Sequence, residues 1–319
     1  MTMERRATLW LLGMTVIWGA SFFSMQLATQ GVEEAFGPDN AHLATPAFLF
    51  LRFVLATALL AALVPSSVRT LSWGAVRGGL ILAVPFVAGF ILQVEGLRRT
   101  TPAVSAFLTS LTVIATPAIG ALFFRERFRA ITVAGAAIAF AGVWVLADPA
   151  GGGLRTGEIL TILGAVAWAA VIQLINVVTK RHPPAPVTLV QFAATTAAFG
   201  AWAVAGGVPW GRLVAACGDT RVALWVPFTA LFCSVVAILI LNRWQREVTP
   251  TRAAVIYTME PVFAALFSWL LIAEPMTGRK LLGGAIIVAG NLLCEVLGAR
   301  KAANGKGPPV DPRDNAKDP

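Results

Sequence analysis

The chain has 319 residues, of which 57% are hydrophobic and 13% charged, with a mean hydropathy of +0.75. Soluble domains carry about 25% charged residues, so a soluble globular class is excluded, and the formal charge of +9 reads as arginines in membrane-flanking loops and not as a nucleic-acid surface. Apolar stretches of roughly 20 residues, each long enough to cross a bilayer as a helix, recur along the whole sequence.

In chain order, Arg5 and Arg6 precede a first apolar helix over residues 8–29. It is too long for a signal-peptide core and lacks a clear small-residue cleavage site. Residues 33–42 form an acidic loop. The second helix, 46–64, contains Arg52; the third, 78–97, contains Pro85; the fourth and fifth cover 101–124 and 130–147. Gly151, Gly152 and Gly153 mark a linker at 148–156. The sixth and seventh helices cover 157–179 and 185–205, and a polar loop fills 206–221. The eighth, ninth and tenth cover 222–241, 251–273 and 279–298. The tail, 299–319, is rich in Pro, Gly, Lys and Asp and has too few apolar groups to pack, so it reads as disordered and cytoplasmic.

The stretch 249–276, TPTRAAVIYTMEPVFAALFSWLLIAEPM, has an earlier copy at 101–128, TPAVSAFLTSLTVIATPAIGALFFRERF. One gapless shift of 148 residues (250 − 102) puts Pro102 on Pro250, Glu126 on Glu274, Gly135 on Gly283 and Gly142 on Gly290. Such matches at a fixed offset are the mark of a duplicated unit. The chain divides into a repeat at 1–147 and a second at 157–298. Counting Lys and Arg by alternate loops gives 17 on the N-terminal side against 7 on the other, and 12 against 7 without the five in the tail. Both termini are therefore expected in the cytoplasm. Five helices per repeat is odd, so the second copy inserts upside down relative to the first, as in many secondary transporters. The fold class expected is an all-α polytopic membrane protein: ten transmembrane helices in two inverted five-helix repeats.

Trp18-Gly19-Ala20-Ser21-Phe22, Leu51-Arg52-Phe53, the stretch 96–128 ending in Arg-Glu-Arg, and Met259-Glu260-Pro261 through Glu274-Pro275 together resemble the EamA-type branch of the drug/metabolite transporter superfamily, over about residues 8–298. The resemblance implies a central cavity lined by helices one to four and six to nine, with helices five and ten at the side. It also implies carriage of small organic metabolites, often outward, in a cell (inner) membrane.

Polar residues within the apolar runs are the candidate site. Glu260, about nine residues into the ninth helix, lies ~14 Å deep at ~1.5 Å per residue, near the midplane of a ~30 Å core. Intramembrane acids usually face an interior or a watery cavity. Glu260 reads either as a proton or substrate-amine site or as a structural acid serving a helix broken by Pro261. Its repeat partner is Thr112. Arg52 pairs with Gln191 when LRFVLAT is aligned with VQFAATT. Arg52 either grips a carboxylate in fork geometry, snorkels, or bridges an acid such as Glu95. Trp18 and Trp168 occupy corresponding mid-depth positions and each needs an N–H partner; they line a pocket or wedge helices apart. Tyr257 joins them as a substrate-binding candidate. Gln93, Gln173, Asn176, Asn242 and Asn291 read as interhelical hydrogen-bonding residues, Trp10, Trp73 and Trp210 as interface anchors, Glu126 and Glu274 as loop anchors, and the four paired glycines as close-packing positions.

Enzyme and ATP-driven classes lack support. His42 and His182 are the only histidines, the three cysteines form no CxxC pair, and no HExxH, GxSxG or Walker sequence occurs. No cofactor or metal is implied. The expected partners are the lipid bilayer and a small-molecule substrate moved by alternating access. Aromatic or hydrophobic amino acids suit an apolar cavity with few charges better than phosphorylated solutes do. Organic-cation efflux through Glu260 and a membrane-embedded non-transport protein, scaffold or enzyme, stay open.

Overall fold

The computed structural model describes residues 3–124, 130–146, 153–179, 181–244, 247 and 256–304, and the described residues are helical apart from short connections. The expected linker, Glu126 and most of the tail lie outside them. The first repeat comprises α1 (Met3–Phe36), α2 (Ala44–Leu63), the single turn α3 (Ser66–Arg69), α4 (Trp73–Leu97), α5 (Pro102–Thr109), α6 (Thr112–Phe124) and α7 (Ala130–Leu146). The second comprises α8 (Thr156–Val178), α9 (Pro184–Ala205), α10 (Trp210–Ala216), α11 (Thr220–Phe228), a π-helical segment (Thr229–Val236), α12 (Ala237–Trp244), α13 (Glu260–Ile272) and α14 (Gly278–Asn304).

Among the described residues seven helices are long and apolar enough to cross a membrane, against the ten expected; α13 and the 133–146 stretch of α7 are apolar but shorter. α13 is short because the ninth helix is broken. Ile256 and Tyr257 are helical, Thr258 and Met259 form a turn, and α13 begins at Glu260. The fourth helix breaks at Ser110 and Leu111, the same place after a shift of 148 (258 − 110). Pro261 is therefore not the sole cause of the break, since its counterpart Val113 follows one too. Proline sits in the first turn of α13, where its missing N–H costs little. Glu260 is thus the first residue of a half-helix, not a residue inside a continuous one.

The acidic stretch also departs from expectation. Glu33 and Glu34 are the closing turn of α1, not a loop. Acids are disfavoured at the negative end of a helix dipole, and two arginines offset this. Arg98 forks Glu33 at 3.0 and 3.3 Å, and Arg221 forks Glu34 at 2.8 and 2.6 Å. Arg212 donates to the Phe36 carbonyl at 2.6 Å. The polar loop 206–221 folds as α10, and the last helix runs on to Asn304.

The packing is its own image when the two repeats are exchanged. α1 packs on α13 as α8 packs on α6; α4 packs on α8 as α11 packs on α1; α2 pairs with α9 and α7 with α14. The α7–α14 contact is glycine-lined. A Cβ on Gly142 would stand 2.7 Å from the Gly283 carbonyl, and one on Gly290 would stand 2.7 Å from the Gly135 carbonyl. The low residue of one helix meets the high residue of the other, so the two run antiparallel. Glu274 ties the repeats together elsewhere. Its carboxylate accepts the Ala103 N–H at 3.1 Å, capping α5, and binds Lys280 at 2.7 Å.

Candidate substrate cavity

The helices enclose a central cavity of about 330 Å³. Among the described residues its walls come from α1, α2, α4 to α6, α8, α9, the π segment, α12 and the start of α13, and none from α7 or α14. It runs from Met25 and Gln93 to Thr179 and Thr188, where α8 gives way to α9. That is the end of the bundle bearing the start of α1, called here the near end. At the far end Glu95 is gripped by Arg98, Arg99 and Thr45, and Arg98 also holds Glu33 and the Ala41 carbonyl. Burial pulls the Arg98 guanidinium down, but its pairing with Glu33 and Glu95 outweighs this and raises it. A wider, open hollow of about 670 Å³ lies against this network, lined by Gln26, Gln30, Glu33 and Glu34.

The structure brings Trp18, Arg52, Trp168, Gln191, Tyr257 and Glu260 to this one cavity. Arg52 and Gln191, pseudo-equivalent on α2 and α9, are 3% and 4% exposed and face inward. Arg52 neither snorkels nor pairs with Glu95, whose partners are at the far end. Its Nε donates to Ser234 Oγ at 3.1 Å, and its Nη1 to Met25 Sδ at 3.0 Å. The guanidinium carbon stands 4.7 Å from the Phe90 ring centre and 5.5 Å from that of Phe53, a cation–π arrangement that stabilises a desolvated charge by about 2 kcal/mol. A guanidinium has five N–H donors, and among the described residues no carboxylate meets this one.

The two tryptophans differ. Trp18 Nε1 donates to the Cys233 carbonyl at 3.2 Å, and Cys233 Sγ approaches the Ile17 carbonyl at 3.6 Å, so α1 and the π segment clasp each other. Trp168 stands edge to face with Phe90 at 4.8 Å and Phe86 at 5.4 Å, and among the described residues its indole N–H has no partner. The Tyr257 hydroxyl is likewise buried without one. Glu260 is half-buried, and among the described residues nothing donates to its carboxylate.

The π segment is the part of the site that the sequence reading missed. Its wider turns leave the Cys233 carbonyl for Trp18 and present Ser234 Oγ, which itself donates to the Thr229 carbonyl at 3.1 Å, to Arg52. π turns inside α-helices are frequent at functional sites. The available signal was Pro227 inside α11, just before Thr229 and Ser234. Other polar candidates bind helices together. Gln173 donates to the Thr116 carbonyl at 3.0 Å, and Asn291 to the Ser110 carbonyl at 3.1 Å. Gln93 lines the cavity. The Asn176 and Asn242 side chains lie outside the described residues.

A two-repeat helical bundle around a polar-studded cavity defines a polytopic membrane protein of the transporter class. The EamA-like transporter family matches residues 5–147 and 155–294, one match per repeat, and the chain belongs to that family, within the drug/metabolite transporter superfamily. A protein of Archaeoglobus fulgidus described as an uncharacterized transporter is 28% identical over 212 residues, covering 66% of this chain and 66% of its own length. A second so described, from the same organism, is 22% identical over 207 residues, covering 65% and 71%. The crystal structure of one protein shares the fold with a TM-score of 0.58 at 19% identity, covering 94% of this chain and 99% of its own.

Proposed function

We propose that the protein is a secondary transporter of the cell (inner) membrane that exports small organic metabolites, foremost amino acids with aromatic or hydrophobic side chains. One observation carries the reading: a single cavity holds a guanidinium without a carboxylate partner and a carboxylate without a donor among the described residues, and a wall of phenylalanines and Trp168. A zwitterion with a large apolar side chain complements all three. In this reading the carboxylate of the cargo lies on Arg52, its ammonium on Glu260, and its side chain against Phe86, Phe90 and Trp168. Gln191, Trp18 and Tyr257 complete the walls.

The reading includes ten spans in two inverted repeats joined at 148–156, with both termini cytoplasmic. The antiparallel α7–α14 contact and the helix breaks 148 residues apart support it. The cavity reaches the near end and is shut at the far end by the Arg98 network, which suits a state open to the cytoplasm. Alternating access would then break that network while closing α8 and α9 over the near end.

The alternative cargo is an organic cation held by Glu260 alone. A proteoliposome uptake screen over amino acids, nucleobases and cationic dyes separates the two. Arg52→Gln is expected to lose at least tenfold in uptake of amino acids and to leave dye uptake unchanged. Uptake of dyes only, insensitive to Arg52→Gln, refutes the amino-acid reading.

A further inference from the structure

Among the described residues Arg52 is the one cation on the cavity wall, and the protein leaves much of its guanidinium unsatisfied. Of its five N–H donors, that on Nε goes to Ser234 Oγ and one on Nη1 goes to Met25 Sδ. Both acceptors are neutral, and a thioether sulfur is a weak one. Nη2 meets no acceptor among the described residues, so the open edge of the fork faces the cavity. Gln93, one turn beyond Phe90 on α4, and Gln191 on α9 line the same cavity, and among the described residues neither amide is bonded. Their N–H groups add donors beside the fork. No acid of the chain answers them. Glu260 is the one acid among the described wall residues, and no ion pair joins it to Arg52. The acids whose side chains lie outside the described residues are Glu4, Glu126, Asp148, Glu295 and those of the tail. None falls in residues 7–124, 156–244 or 256–272, which supply every described wall residue. A buried charge without a counter-charge is costly, and contact with Phe90 and Phe53 offsets that only in part. The counter-charge is therefore mobile, and it enters by the near-end opening.

We propose that Arg52 is a small-anion site that holds chloride in the absence of cargo, and that the cargo carboxylate must displace this chloride in order to bind. The displacement rests on the reading that puts the cargo carboxylate on Arg52. A single positive charge calls for a single negative one, and a guanidinium is weakly hydrated, so the matching anion is one that sheds water readily. Bromide and nitrate are expected to bind as chloride does. Sulfate, which is strongly hydrated and excluded from protein surfaces, is expected not to enter. Chloride and carboxylate take the same N–H groups, so each weakens the other by the same factor. Cargo then loads best from the face poorer in chloride and leaves best on the richer face.

The test uses the full chain in detergent at fixed pH and ionic strength, with sulfate replacing chloride. Chlorine NMR line width reads chloride binding, and equilibrium dialysis reads binding of radiolabelled L-phenylalanine. For the wild type, line broadening is expected that L-phenylalanine removes. The apparent Kd of L-phenylalanine is expected to rise about tenfold for each tenfold rise in chloride once chloride saturates the site. Arg52→Gln is expected to lose that component of the broadening, and Arg52→Lys, which keeps the charge but not the fork, to keep part of it. If Arg52→Gln does not fold, the competition in the wild type decides. L-phenylalanine binding that is indifferent to chloride, with no broadening that it removes, overturns the anion site and leaves the transport reading standing. The same broadening in Arg52→Gln overturns the assignment to Arg52. Broadening that Arg52→Gln lacks, in a wild type that binds no L-phenylalanine, supports the anion site and overturns the cargo reading.

Discussion

Ala273 ends α13 with φ 52 and ψ 33, the left-handed region, and among the described residues it is the only non-glycine there. The turn lets the Glu274 N–H reach the Ser268 carbonyl at 3.0 Å and aims the Glu274 carboxylate at α5. A Cβ in this conformation costs about 1–2 kcal/mol, and glycine is the usual occupant of such a helix end. Ala273→Gly is expected to stabilise the protein by roughly 0.5–1 kcal/mol after the larger chain entropy of glycine is deducted. A raised Tm in detergent, with the Glu274–Lys280 pair intact, is the readout. At the α11 end, hydrogen bonds from the Arg221 side chain and backbone hold the Asp219 carboxyl at about 2. The usual value is about 3.9, so the folded form is favoured above that value. This contribution is lost as pH falls from ~4 towards ~2. Melting temperatures taken down this range are expected to fall less steeply in Asp219→Asn, which has no such proton to bind. At this scale the sequence was legible where a residue type leaves little choice. Arg52 and Glu260, the charges within apolar runs, do face the cavity. Illegible were the hydrogen-bond partners, because Ser234 and Met25 meet Arg52 only through the register of a π segment.

Elements show the same division. The paired glycines read as close-packing positions, and the structure puts them where α7 crosses α14. Gly142→Leu would drive a side chain into the Gly283 backbone, whereas Gly13 on α1 has nothing within 4 Å of its missing Cβ. Gly142→Leu is expected to cost at least about 1–3 kcal/mol and Gly13→Ala to stabilise by roughly 0.5–1 kcal/mol. Thermal unfolding and size-exclusion profiles of the two variants check the contrast. The helix breaks were only half legible. A proline beside an acid drew attention to Pro261, yet Ser110–Leu111 breaks with no proline following. Both breaks sit where two half-helices meet the cavity, a place that local propensity does not record. The closing turn of α1 was misjudged for a similar reason. Two glutamates end a helix badly unless arginines from elsewhere arrive, and Arg98 and Arg221 are distant in sequence.

For the whole molecule the duplication carried most of the architecture. The duplication names helices that exchange partners, and the packing obeys it. The side of the membrane rests on loop charge, and at least five of the seven far-side cations, Arg98, Arg99, Arg212, Arg221 and Lys280, have a second occupation within the protein. Arg98, Arg212 and Arg221 are tied to the end of α1 and are not simply facing headgroups. Cysteines introduced at Asp39 and Arg313 are expected to label from opposite faces of intact cells, Asp39 from outside. Labelling of both from one face would refute the ten-span inverted arrangement.

The glycine crossing has a mechanical meaning. Gly142 on Gly283 and Gly135 on Gly290 are two copies of one contact, exchanged by the duplication. The point midway between them is therefore a fixed point of that exchange. If the two end states of the carrier are exchanged roles of the same halves, the halves swap places about the axis of that exchange and this point, lying on it, stays still, like the pin of a pair of scissors. Ala139 and Ile287, which the shift exchanges with each other and which share the apolar cluster at this crossing, lie beside the pin. A covalent link between them should cost the carrier almost nothing, while a link of equal length between α1 and α13 should stop it. Transport by cysteine-bridged liposomal protein, before and after reduction, distinguishes a pin from a brake.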